Sequence, residues 1–121
     1  MSWTVWVAVA LLGSVGALAR FAIDGLISAR DSGRLPLGTL VVNGSGALLL
    51  GLVTGLTLTG DALLLVGSAT LGSYTTFSTW MLETERLNEH GHGRVALTNV
   101  LVSVALGIGA VAFGRTLGGW L

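Results

Sequence analysis

Residues 62–82 read ALLLVGSATLGSYTTFSTWML, an apolar stretch with a small, hydroxyl-rich patch from Gly72 to Trp80 inside it. Its length fits a helix that crosses the hydrocarbon core, which needs roughly 20 apolar residues. A bilayer leaves unpaired backbone unsatisfied, so polar and glycine-rich sequence is tolerated at that depth where it lines a cavity or an ion path. We therefore predict that this span is locally unwound and carries the functional site.

The composition of the whole chain is typical of a membrane protein. Of its 121 residues, 52% are hydrophobic and 10% are charged, and the mean hydropathy is +0.83. A soluble domain of this size needs many more charges to cover its surface. The formal net charge is zero, which gives no reason to expect a nucleic-acid partner. We interpret the chain as one transmembrane domain, residues 1–121.

Three further apolar spans flank the one quoted above. The four predicted spans lie at approximately 3–23, 37–58, 62–82 and 95–114, and each is long enough for a transmembrane helix. The first span resembles a signal peptide, but no Lys or Arg precedes it and three spans follow, so we interpret it as a retained helix. The sequence therefore predicts an all-α, multi-pass protein of the cell membrane.

The arginines predict an orientation for these spans. Five of the six lie on the side of the first and third loops, and only Arg115 lies on the side of the termini. This bias predicts cytoplasmic loops and external termini. Arg20 ends the first span with Asp24 one turn later, and it is either part of a snorkelling pair or an electropositive collar that concentrates anions in a vestibule.

One face of the second span carries small residues and an amide. Asn43, Ala47, Gly51 and Gly55 recur every four residues and therefore share a helix face. The glycines predict a packing seam at which a neighbouring helix approaches closely. For Asn43 two interpretations stay open, because a buried amide serves either as interhelical glue or as a functional hydrogen-bond donor.

The fourth span carries a narrow polar track. Asn99, Ser103 and Gly107 lie at positions i, i+4 and i+8 on an otherwise apolar helix. Such groups can replace the water shell of a permeating ion step by step. The alternative is that they bond the carbonyls of their own helix or a neighbouring helix.

The third span contains the most specific pattern. Phe77 and Trp80 are three residues apart, so both rings project to the same side of a helix. Aromatic edges are electropositive and can face an anion without carrying a charge. Backbone carbonyls exposed by unwinding can hold a cation, as broken membrane helices do. The alternative is a packed helix whose hydroxyls bond to its own turn.

Two other classes of protein are considered from the same residues. The sequence offers no nucleophile–base pair, so we predict that the chain is not an enzyme. A small proton-coupled drug exporter needs an ionisable carboxylate within the membrane. The acids near the spans all lie at span ends, which argues against that class: Asp24, Asp61, Glu83 and Glu85.

Three motifs taken together resemble the Fluc/CrcB family of fluoride channels. They are GSVGALARF at 13–21, GTLVVNGSG at 38–46, and GSYTTFST at 72–79 followed by Glu83. Their order and spacing agree with the family over nearly the whole chain. The resemblance implies a dimer of two oppositely inserted chains that encloses two narrow pores and exports fluoride passively, which confers fluoride resistance.

The resemblance also implies roles for individual residues. Asn43 would hydrogen-bond fluoride, and Phe77 would offer its ring edge to the ion. The polar track would comprise Ser78, Thr79 and Ser103, and Arg20 would lie in the vestibule. The backbone carbonyls of Gly72 and Thr75, from both chains, would hold a structural sodium ion at the dimer centre.

Two pore positions depart from the family pattern. Trp80 replaces a second phenylalanine, and its bulkier ring would narrow the path; Asn99 replaces a common tyrosine. With the arginine bias, these substitutions favour a second possibility, in which the partner is a paralogous chain of fixed orientation rather than an inverted copy. A third possibility is a non-conducting subunit that completes a partner's channel.

Overall fold

The computed structural model describes residues 2–121, which are mainly helical and contain no β-strand. The α-helices are α1 (Trp3–Arg30), α2 (Leu37–Gly55), α3 (Gly60–Leu63), α4 (Gly72–Tyr74), α5 (Ser78–Glu89) and α6 (Gly93–Trp120). A π-helical segment, Leu64–Leu71, joins α3 to α4. The prediction of an all-α protein is therefore confirmed.

Three helices are long and apolar enough to cross a membrane, namely α1, α2 and α6. The helices α1 and α6 contain the first and fourth predicted spans, and α2 covers the second span as far as Gly55. Their outer surfaces expose large apolar side chains such as Phe21, Leu101 and Phe113, which a bilayer would cover. The chain is therefore a multi-pass membrane protein.

The helix boundaries differ from the predicted spans. The helices α1 and α6 each contain 28 residues and continue past the predicted ends at 23 and 114. In α1 the polar residues prolong the helix, since the Ser28 hydroxyl donates to Asp24 Oδ1 at 3.1 Å within it. By contrast, α2 stops at Gly55 because Thr57 adopts a φ of 57°, which a right-handed helix does not allow.

The contact between α2 and α6 is built on glycines from both helices. A Cβ atom at Gly51 would collide with the Val111 carbonyl oxygen, and Gly55, Gly114 and Gly118 are equally close to the backbone of the facing helix. Small residues at such a seam let two helices approach until their backbones touch. The predicted seam is confirmed at Gly51 and Gly55, and α6 supplies the matching glycines.

The third predicted span does not form one continuous helix. Its first half is helical from Gly60 to Tyr74, with a widened π-helical section in which Thr70 Oγ1 donates to the Leu65 carbonyl at 2.7 Å. Thr75 is then extended, with φ −78° and ψ 159°, and the helix resumes at Ser78. The break falls on the threonines, whereas Gly72 stays helical.

The broken span is wedged between α1 and α2. Gly16 of α1 lies so close to it that a Cβ there would collide with Ser73 Oγ and the Thr70 carbonyl oxygen. On the other side, a Cβ at Gly46 of α2 would collide with the Thr75 methyl group. These two close approaches position the break directly beside the middle of α2.

Candidate functional site at the helix break

The side chain of Asn43 satisfies the backbone inside the break. Its Oδ1 accepts a hydrogen bond from the Thr76 N–H at 2.8 Å, and its Nδ2 donates one to the Thr76 carbonyl at 2.8 Å. Thr76 is buried, so both backbone groups would otherwise be costly to leave unpaired. The amide therefore replaces the helical partners that Thr76 lacks. We call this pair of bonds the Asn43–Thr76 clip.

The clip also frees carbonyl oxygens in the preceding turn. In a continuous α-helix the Thr76 N–H would bond the Gly72 carbonyl, but here it bonds Asn43. Likewise the Thr79 N–H would bond the Thr75 carbonyl, but it donates to Thr76 Oγ1 at 3.3 Å. Gly72 and Thr75 border one cavity of about 530 Å³. Carbonyl oxygens without a helical donor are the kind of ligand that hard cations prefer.

Several of the predicted pore residues meet in a groove between the break, α2 and α6. The groove has a volume of about 430 Å³, and its polar and aromatic lining comprises Asn43, Thr75, Thr76, Phe77, Trp80 and Ser103. The rest of the lining is mainly aliphatic and comes from α6. We call this space the Asn43 groove. It combines a few hydrogen-bonding groups with an apolar wall.

The two aromatic rings of the groove contact each other edge to face. The centroids of Phe77 and Trp80 are 5.7 Å apart, and the ring planes are inclined by 75°. Phe77 is 70% exposed, so its ring lies on the open side of the groove. An aromatic edge carries partial positive charge, and an open groove leaves ring atoms accessible to an ion.

The start of α5 adds a second source of positive potential. This helix of 12 residues begins at Ser78, and in its first turn the Thr79 N–H donates to Thr76 Oγ1. Backbone N–H groups at a helix N-terminus carry roughly half a positive charge and attract anions. The break therefore presents a positive helix end beside the Asn43 groove without using a charged side chain.

Asn99 lies behind the groove rather than in its lining. It is 1% exposed, and its Nδ2 donates to Thr84 Oγ1 at 2.9 Å, which joins α6 to α5. Ser103 Oγ, which does line the groove, is 3.5 Å from Asn99 Oδ1. Asn99 thus bonds the neighbouring helix, which was one of the two interpretations of the polar track.

Arg20 borders a separate cavity on the other side of the break. This cavity of about 220 Å³ is lined by Arg20, Phe21, Asp24, Thr39, Val42, Thr76 and Thr79. Thr76 therefore borders both spaces, and Thr79 faces the arginine side. Ser78 is exposed and contributes to neither lining. The predicted site residues thus divide into an arginine-side group, a groove group, and three residues outside both, which are Gly72, Ser78 and Asn99.

Two features of the site were given no role by the sequence. The main chain of Thr76 is the hydrogen-bond partner of Asn43, but no pattern of side chains predicts a main-chain contact between residues 33 positions apart. Thr39 is buried and its hydroxyl donates to Glu83 Oε1. Thr39 belongs to the motif at 38–46, and Thr76 belongs to the motif at 72–79 that Glu83 follows. Membership in these motifs was the signal by which the sequence could have identified both residues.

The fold and the site define a helical membrane protein with a helix interrupted beside a polar groove. Residues 7–115 match the family described as "CrcB-like protein, Camphor Resistance (CrcB)". The chain belongs to this family, so the resemblance read from the three motifs is confirmed.

Curated relatives match over most of their length. The chain is 60% identical over 113 residues to the "Fluoride-specific ion channel FluC 2" of Mycolicibacterium paratuberculosis, covering 93% of each chain. It is 48% identical over 111 residues to the protein of that name from Mycobacterium tuberculosis, covering 92% of this chain and 88% of the relative. It is 40% identical over 119 residues to "Fluoride-specific ion channel FluC 1" of Symbiobacterium thermophilum, covering 93% and 96%.

Proposed function

We propose that this chain forms a fluoride-selective channel that exports cytoplasmic fluoride passively across the cell membrane and so confers fluoride resistance. The observation that carries the proposal is the helix break beside the Asn43 groove, where Asn43, Phe77 and Ser103 come together. The names of the relatives support fluoride as the ion.

The chemistry of the groove suits a small, strongly hydrated anion. The Asn43 amide nitrogen carries two hydrogens, and one of them donates to Thr76, so the second is available to an ion. The Phe77 edge and the N-terminus of α5 add partial positive charge. None of these groups carries a formal charge, so an anion is stabilised without being held too tightly to leave.

We further propose that the two cavities act in series. Arg20 would concentrate anions in its cavity by long-range attraction, and Thr79 would offer a hydroxyl there. Thr76 borders both cavities, so it marks the transition between them. Ser103 would then accompany the ion along α6. The two halves of the broken span would together supply the fourth membrane crossing.

The open side of the groove favours a dimer. Phe77 is largely exposed although it lies at membrane depth in this proposal, and a second chain inserted in the opposite direction would cover it. The partner would be an inverted copy or a paralogous chain. The numbering of the relatives as FluC 1 and FluC 2 supports the existence of paralogous chains.

A structural sodium ion at the dimer centre is part of the same proposal. The freed carbonyls of Gly72 and Thr75 fit such an ion, because their helical donors are diverted to Asn43 and Thr76. Bound there, the cation would offset the repulsion between carbonyl dipoles and fix the two chains to each other. Binding energy of this kind also stabilises the folded state.

The experiment is fluoride efflux from liposomes that contain wild-type or variant protein. Asn43→Ala and Phe77→Ile should each slow efflux roughly tenfold, since a lost interaction of about 1.4 kcal/mol with the ion corresponds to a factor of ten. Matched controls are Asn88→Ala and Phe113→Ile, which lie outside both cavities and should conduct normally. Unchanged efflux in both groove variants would overturn the assignment of the pore.

A further inference from the structure

A cavity outside both parts of the proposed ion path collects basic side chains. It has a volume of about 310 Å³, and its lining includes Arg34 of the first loop, Arg86 of α5, and His90 and His92 between α5 and α6. It shares no lining residue with the Asn43 groove or the Arg20 cavity. The chain has six arginines and two histidines, so half of its basic side chains surround this one space. We call it the loop cavity.

Hydrogen bonds between the lining residues orient the donors of this cavity. Arg34 Nη1 lies 3.3 Å from His92 Nδ1. A guanidinium only donates, so this ring nitrogen accepts, and the neutral ring carries its hydrogen on Nε2. His90 Nδ1 lies 2.7 Å from the Arg86 carbonyl oxygen, to which it donates. The bond to His92 uses one of the N–H donors of Arg34, and the others remain for a ligand together with the His92 Nε2–H.

The carboxylate in the lining of the loop cavity is bonded to a residue outside it. Glu83 Oε1 accepts a hydrogen bond from the Thr39 hydroxyl, and Thr39 borders the Arg20 cavity instead. Two arginines and one carboxylate leave the lining positive even when both histidines are neutral. A positive, donor-rich cavity attracts anions. The ligand class of the loop cavity is therefore an anion with several acceptor oxygens.

The loop cavity lies where the apolar spans end. Two of its lining residues, Pro36 and Glu83, directly precede the second predicted span and directly follow the third. Their chain neighbours Leu37 and Leu82 are 36% and 50% exposed, and Leu87 adds an apolar wall to the cavity itself. Lipid headgroups lie just outside the hydrocarbon core. A lipid phosphate therefore reaches the level of the cavity, while its acyl chains meet the exposed leucines.

We propose that the loop cavity binds the headgroup phosphate of an anionic phospholipid, with Arg34 and Arg86 as its main ligands. Guanidinium groups match phosphate oxygens in both shape and charge, and the His92 Nε2–H adds a neutral donor. Basic pockets between membrane helices are typical sites for anionic headgroups. A bare halide would leave most of a cavity of about 310 Å³ to water, whereas a headgroup fills it.

The test is native mass spectrometry of the detergent-solubilised protein titrated with phosphatidylglycerol, with zwitterionic phosphatidylcholine as the reference lipid. The wild type should bind phosphatidylglycerol in preference. The double variant Arg34→Gln/Arg86→Gln should lose roughly tenfold in affinity for it, because charge-assisted bonds to the phosphate are removed. The matched control Arg30→Gln/Arg94→Gln removes the same charge on the same side but outside the cavity lining, so its affinity should change by about twofold at most. All four arginines are exposed, so both variants should fold, which thermal unfolding without added lipid verifies.

Equal binding of the two lipids by the wild type, or an equal loss of affinity in the two double variants, would overturn the inference. Inorganic phosphate should not displace bound phosphatidylglycerol; if it does, the occupant is a soluble phosphate and the lipid assignment is wrong. Slower fluoride efflux in Arg34→Gln/Arg86→Gln with unchanged lipid affinity would also overturn it, because the cavity would then serve the permeating ion. The titration needs no flux, so a failure of the proposed channel function would leave its result unaffected.

Discussion

Two helix contacts in this protein bring backbone close to a neighbour by opposite means. At the seam between α2 and α6, glycines remove side chains so that two intact helices touch. At the clip, Asn43 supplies a side chain that takes the place of a helical partner for Thr76. At the seam both helices stay intact, and the glycines offer no polar side chain to an ion. The clip frees oxygens and opens a groove, so function lies there.

The largest expected effect comes from breaking the seam. Gly114→Val would place side-chain atoms against the Leu48 carbonyl, which is backbone and cannot move aside. We expect a loss of about 3 kcal/mol in the free energy of unfolding, at the upper end for overpacking, and little folded protein. Thermal unfolding in detergent measures this. Gly109→Val is the matched control, because a Cβ at Gly109 meets nothing within 4 Å; equal destabilisation by both would refute the seam.

Breaking the clip should have the next largest effect. Asn43→Ala removes the side chain that pairs the Thr76 N–H and carbonyl, at a net cost of about 2 kcal/mol, roughly 1 kcal/mol for each lost hydrogen bond. The Thr76 amide should therefore exchange with deuterium at least about tenfold faster, and the protein should remain folded. Hydrogen-exchange mass spectrometry resolves this segment. Ser45→Ala removes a contact with the Tyr74 hydroxyl without touching Thr76, so comparable acceleration in that variant would show that the clip is not the cause.

Sodium removal tests the freed carbonyls. If Gly72 and Thr75 hold the ion, the protein should be stabilised by up to about 2.7 kcal/mol at a hundredfold excess of sodium over its dissociation constant. The unfolding temperature should rise with sodium but not with N-methylglucamine at equal ionic strength. The shift should disappear in Asn43→Ala, because without the clip the segment that presents the two carbonyl oxygens is no longer held in place. If sodium raises the unfolding temperature of Asn43→Ala as much as that of the wild type, the ion does not bind at the helix break.

The smallest expected effect concerns the arginine side of the break. Arg20→Gln should lower fluoride flux several-fold at low salt and less at 0.15 M or higher, because long-range attraction is screened over roughly 8–10 Å under those conditions. Flux measured at several salt concentrations reveals this dependence. Arg30→Gln, at the exposed end of α1, is the control. A decrease that is the same at every salt concentration would indicate a structural role for Arg20 instead.

Local patterns in the sequence predicted several parts of this fold. Hydrophobic length identified α1, α2 and α6, and four-residue spacing identified Gly51 and Gly55 as seam residues. The clash between polar sequence and membrane depth predicted the interruption of the third span. Each of these conclusions depends on residues that are near each other in the chain, where helical geometry fixes what they share.

The remaining features depend on contacts between distant segments. The side chain of Asn43 bonds main-chain atoms of Thr76, which every residue has. The residue type at position 76 therefore does not predict the contact. The polar track assigned Asn99 and Ser103 to one face, but the position of Thr84 on α5 draws Asn99 behind the groove. The helix breaks at Thr75 rather than at Gly72 because Asn43 takes the place of the helical hydrogen-bond partners of Thr76.

Passive fluoride release from liposomes that contain only this chain tests the central claim most directly. A fluoride electrode should record rapid release of trapped fluoride once a potassium ionophore balances charge, with no proton gradient required. Chloride trapped in parallel liposomes should stay inside. Release no faster than from protein-free liposomes, or release of both halides at the same rate, would contradict the account.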